Sequence, residues 1–127
     1  MTENTRRVVV TGLGLVSPVG STVTKAWDNI KNGISGIRKI TSFDASSFSV
    51  QISGSVVDFN ADDFITPKNQ KKMDTFIHYG IGASVMAIND AGLEISEENS
   101  ARIGISSASG IGGFPYIEKN SGNFLQN

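Results

Sequence analysis

The chain contains no cysteine, one histidine (His78), one tryptophan and three prolines in 127 residues. Without cysteine it has no disulfide, no thiolate metal site and no cysteine nucleophile of its own. Imidazole chemistry rests on His78 alone. No metal and no cofactor is expected from this residue set. No apolar run approaches the roughly 18 residues that a membrane span needs. The opening MTENTRRVVV carries two arginines but no apolar signal core. A cytoplasmic protein with no membrane partner is expected. The net charge of −1 supplies no global attraction to nucleic acid, so no nucleic-acid partner is expected either.

What the sequence has in excess is glycine, fourteen residues against an average usage of about 7%. They punctuate the chain rather than forming low complexity. Hydrophobic content is ordinary at 39%, and the length allows one domain at most. RRVVVTG reads as a buried strand over residues 7–11, stopped by glycine. Pro18 and Gly20 make a loop. Thr22 or Thr24 then caps a helix over residues 25–32, with Ala26, Trp27 and Ile30 as its apolar face and Gly33 as its stop. Residues 34–50 read as irregular, and QISGSVV as a strand over residues 51–57. The longest helical pattern starts at the Thr66 cap and Pro67. It repeats through Met73, Phe76, Ile77, Gly80, Ile81, Ser84, Val85, Ile88 and Ala91 to Gly92. Gly80, Gly82 and Ala83 leave room for another backbone to approach. ARIGISSAS predicts a second buried strand over residues 102–107, followed by a glycine loop and a short helix start. This order predicts an α/β domain.

Several motifs invite a functional reading. TGLGLVS places Gly12 and Gly14 like a dinucleotide fingerprint, but Ser17 and Pro18 stand where the third glycine and the helix should be. That disfavours a nucleotide-dependent oxidoreductase. In SGIGG, residues 109–113, no cation accompanies the backbone N–H groups, and Ile111 is the only bulky side chain. The loop is the wall of an apolar pocket or a plain structural turn. Lys68, Lys71 and Lys72 share one face of a helix at i, i+3 and i+4 spacing. Either they form a solvated helix end or, placed against the helix dipole, they attract an acidic partner. His78 reads as structural, with Asp74 at i−4 as its nearest partner. Asp62 with Asp63 and Glu97 with Glu98 read as residues that complement helix starts rather than as an acid–base pair.

Taken in order, RRVVVTGLGLVSPVG, FDASSF, VVDFNADDFI, KNQKKMDTFIHYGI, INDAGLEISEEN and ARIGISSASGIGG resemble the β-ketoacyl-acyl-carrier-protein synthases, the condensing enzymes of fatty acid synthesis. The resemblance covers residues 6–113. SPVG, KKMDTFIHYG and the Ile111 of GIGG resemble the type II, long-chain elongating form. The resemblance implies a thiolase-like fold of layered helices and mixed sheets, incomplete in this chain. Residues 1–127 would be the N-terminal part of its first half, with no separate second domain. It further implies a homodimer that performs a decarboxylative Claisen condensation, using a cysteine to carry the acyl chain and two histidines to decarboxylate malonyl-acyl carrier protein. The chain ends at Asn127, before those residues, and His78 matches neither histidine. No catalytic residue carries over, and the chain alone is expected to be inactive. Two roles do carry over. Ile111, with room given by Gly110, Gly112 and Gly113, matches the gate of the acyl pocket. Lys68, Lys71 and Lys72 match the patch that docks acyl carrier protein. The alternative is a non-catalytic carrier-binding or assembly module.

Overall fold

The computed structural model describes residues 6–125. Helix α1 spans Val23–Lys31. Strands β1 (Arg38–Lys39) and β2 (Ile52–Ser53) form an antiparallel pair with Arg38 opposite Ser53 and Lys39 opposite Ile52. A 3-10 turn over Ala61–Asp63 leads to α2 (Pro67–Gln70) and α3 (Thr75–Asp90). A second 3-10 turn, Ser100–Arg102, precedes α4 (Phe114–Leu125). The architecture is mixed α/β with helix dominating.

Local chemistry accounts for the helix ends. The Thr22 side chain accepts a hydrogen bond from Lys25 N–H at 3.2 Å and caps α1. At the other end Gly33 takes φ of 67°, and Ile34 N–H reaches back to the Asn29 carbonyl at 2.9 Å. Gly92 ends α3 in the same way, with φ of 58° and Leu93 N–H on the Ile88 carbonyl at 3.2 Å. Of the expected apolar face of α1, only Ala26 is buried, while Trp27 and Ile30 are more than half exposed.

The single long helix expected from Pro67 to Gly92 is two helices. Pro67 does open α2, but the Thr66 side chain makes no capping bond. The chain then tightens, with Lys72 N–H on the Asn69 carbonyl and Met73 N–H on the Gln70 carbonyl. Asp74 starts α3 afresh, its Oδ1 accepting from Thr75 N–H at 2.7 Å. The apolar spacing ran through this junction because a 3-10 turn disturbs the helical period only slightly.

The expected strands over residues 7–11 and 102–107 are not paired in a sheet among the described residues. Val8, Val9, Val10 and Ile105 are instead exposed, Val8 at 89%. A β-branched run encodes readiness to pair, and a strand also needs a neighbouring backbone. Only two residues of the expected 51–57 strand pair, and their partner lies in the stretch expected to be irregular.

Packing concentrates around α3. Phe59 stacks on Phe64, with centroids 5.5 Å apart, and meets Tyr79 edge-on at 5.3 Å. The Phe59 ring sits where a Cβ on buried Gly82 would be. On another side of α3, Gly12 and Gly14 press against the small-residue ladder Ala83, Ala87 and Ala91, which recurs every four residues. A Cβ on Gly14 would overlap the Ala83 carbonyl and lie 2.7 Å from Ala87 N. Leu13 N–H donates to Asp90 Oδ2 at 2.8 Å and fixes the register. Of the close approaches expected on this helix, Ala83 meets backbone, Gly82 meets an aromatic ring, and Gly80 faces open space.

Candidate functional site

The second glycine loop follows Ser109 and leads directly into α4. Gly112 has φ of 88°, a left-handed conformation that strains any residue with a Cβ. Its N–H donates to the Ser109 hydroxyl at 3.0 Å, which closes a tight turn around Ile111. Ile111 is 71% exposed at the apex. A Cβ on Gly110 would meet nothing within 4 Å. Gly113 is the opposite case, because a Cβ there would fall within the Asp74 side chain, 2.8 Å from its Cβ.

Asp74 therefore stands at the foot of this loop. It caps α3 with one oxygen, and Tyr116 N–H of α4 donates to the other at 3.4 Å. With Lys72, Phe76, Ile77, Gly113 and Tyr116 it lines a cleft of about 190 Å³. Sequence reasoning passed over Asp74 as a cap. The available signal was the aspartate of MDTF, a strong N-cap residue placed just before an apolar-periodic run.

The three lysines are solvent-exposed. Lys68 lies in α2, Lys71 is its C-cap, and Lys72 follows in the turn. They lie along a tightened turn rather than on one face of a long helix. Helix α2 is only four residues long and has little macrodipole of its own, while Lys72 stands two residues before Asp74, the N-cap of the longer α3. Only Lys72 reaches the glycine-loop cleft. His78 Nε2 lies 3.3 Å from the Gln70 carbonyl rather than on Asp74, so it ties α3 back to α2. Asp62 accepts from Gln70 Nε2 of α2 at 2.7 Å, and Asp63 from Asn60 Nδ2 within the 3-10 turn at 2.9 Å. Glu97 and Glu98 precede the second 3-10 turn, where the Glu97 carbonyl accepts from the Ser100 hydroxyl.

A larger apolar groove of about 640 Å³ runs along α3 past Phe76, Ile77, Ile81, Val85 and Ile88 and is closed on one side by Ile105 and residues 107–109. Ile111 does not line it. Elsewhere, the Lys25 ammonium and the Ser21 hydroxyl, each 2.6 Å from an Asp58 oxygen, hold the Asp58 carboxyl below the usual carboxylate range. Among the described residues no helix is long and apolar enough to cross a membrane.

The family model "Beta-ketoacyl synthase, N-terminal domain" matches residues 5–126. The 3-oxoacyl-(acyl-carrier-protein) synthase 2 of Vibrio harveyi is 51% identical over 113 residues, 89% of this chain and 27% of that protein. The Staphylococcus aureus (strain COL) protein of the same name is 42% identical over 118 residues, 93% of this chain and 28% of that protein. Among solved structures, the ishigamide ketosynthase/chain length factor superposes with a TM-score of 0.63 at 36% identity, covering 70% of this chain and 22% of that one. The chain thus spans about a quarter of the length of the curated relatives it matches. The helices and small antiparallel sheet agree with the thiolase-like condensing-enzyme fold that the sequence implied.

Proposed function

The chain belongs to the beta-ketoacyl synthase family through its N-terminal domain, and on that premise we propose that it forms the N-terminal part of the first half of a type II-like, homodimeric, cytoplasmic synthase of fatty acid elongation. The observation that carries this is the family match, which extends from residue 5 to residue 126. The reaction joins an acyl thioester to malonyl-acyl carrier protein. Loss of carbon dioxide leaves a carbanion, which attacks the acyl carbonyl. The thiolate that carried the acyl group departs, and the chain is two carbons longer. The cysteine nucleophile of that chemistry has no counterpart in this sequence, so these residues alone do not condense.

This domain contributes recognition. Ile111 stands at the mouth of the acyl pocket, and its exposed place on a glycine-flanked apex supports a side chain that swings. Lys68, Lys71 and Lys72 meet the acidic surface of acyl carrier protein. Each exposed ion pair of this kind contributes about 0.2–1 kcal/mol, so their main effect is on encounter rate and orientation.

In the full synthase, Ile111→Phe should shorten the longest acyl chain accepted, read from product length. Unchanged chain length would remove the gate role. Lys68→Glu with Lys71→Glu should raise KM for acyl carrier protein more than for a short thioester lacking the carrier. An equal loss on both would remove the docking role.

A further inference from the structure

We propose that Asp74 is a positioning residue that tethers the Ile111 loop: one carboxylate oxygen caps α3 while the other holds the 110–116 segment against that helix. The role given to Ile111 rests on the synthase function proposed above; the tether rests on geometry alone. Asp74 lies far in sequence from the loop, yet its side chain occupies the space a Cβ of Gly113 would need. The Asp74 Oδ2 atom accepts from Tyr116 N–H at 3.4 Å, and Oδ1 from Thr75 N–H at 2.7 Å. The loop's other hydrogen bonds among the described residues are local, Gly112 N–H to Ser109 Oγ and Ile117 N–H to the Gly113 carbonyl. Gly110 and Ile111 meet little else. A loop with a free apex and one ionic foot pivots at that foot. Gly113 is then glycine because the carboxylate must come this close, and α4 begins where its N-terminal N–H groups favour a nearby anion.

The capping and tethering roles are separable. Asparagine caps as well as aspartate does, but its single oxygen serves only one of the two N–H groups. Serine also caps and is too short to reach Tyr116. The test is amide hydrogen exchange on the full synthase with Asp74→Asn and Asp74→Ser. Exchange across residues 110–116 should rise about tenfold, the size expected for a lost hydrogen bond to a charged acceptor, while the first turn of α3 keeps its protection. Unchanged exchange at residues 110–116 in both variants overturns the tether, as does equal loss of protection in loop and helix. Product length in the same variants reads the gate separately. A loosened loop with unaltered product length keeps the tether and removes the gate role of Ile111.

Discussion

The two glycine-rich segments of this chain look alike in sequence and behave oppositely in space. Each follows a β-branched or alternating apolar run and spaces its glycines two apart. Gly12 and Gly14 are clamped against the alanine ladder of α3, with Leu13 N–H bound to Asp90. Gly110 and Gly112 surround an exposed isoleucine, and a Cβ on Gly110 would touch nothing within 4 Å. In the first segment the missing side chain admits another backbone. In the second it leaves a turn free, with Gly113 alone pressed onto a neighbour. A glycine pair after a strand-like run thus says that bulk is excluded or that a turn is needed. Only the contacts decide which.

The sharpest way to break this comparison is Gly14→Val, whose branches would be driven into the Ala83 carbonyl. About 3 kcal/mol should be lost, the upper end of the overpacking range, read as a lowered urea midpoint. A midpoint like wild type would mean the first segment is not clamped. Gly112→Ala comes next, costing about 1–2 kcal/mol for a Cβ in the left-handed region, since its φ is 88°. A smaller loss would show the turn relaxing.

Asp58, tied to Ser21 and Lys25, gives a weaker, pH-dependent effect. Its carboxyl is held low in the folded state by the Lys25 ammonium and the Ser21 hydroxyl. Its stabilisation is therefore complete above the unfolded carboxylate value of about 3.9 and disappears as pH falls through the lower folded value. Its partner Lys25 is 56% exposed, so the loss should stay within about 0.2–1 kcal/mol. Asp58→Asn should flatten that part of the acid-unfolding curve; an identical curve would remove Asp58 as its cause. The smallest effect belongs to Gly110→Ala, within about 0.5 kcal/mol, because the space is open and φ is not positive. A loss as large as that of Gly14→Val would erase the distinction between the segments.

Legibility followed the range of the interactions. Thr22, Gly33, Pro67 and Gly92 announce helix ends because a cap or left-handed stop involves neighbours only a few residues away. The lysines could be named from sequence, but the single helical face expected for them is broken where α2 ends at Gln70. The rigid period assumed from Pro67 to Gly92 hid the competing cap at Asp74. The partner expected for His78 at i−4, Asp74, is not the one it meets, which is the Gln70 carbonyl.

The sequence by itself determined the family, through the ordered motifs between residues 6 and 113, and the ends of the helices. It also determined that these 127 residues contain no cysteine. Only the tertiary structure decided which glycines are clamped and which are free, that the valine run at residues 8–10 finds no strand partner among the described residues, and that Asp74 meets Gly113 across the fold. The physical reason is distance along the chain. A cap closes over one turn, whereas pairing and close packing depend on a surface contributed from dozens of residues away, and no local pattern encodes which surface arrives.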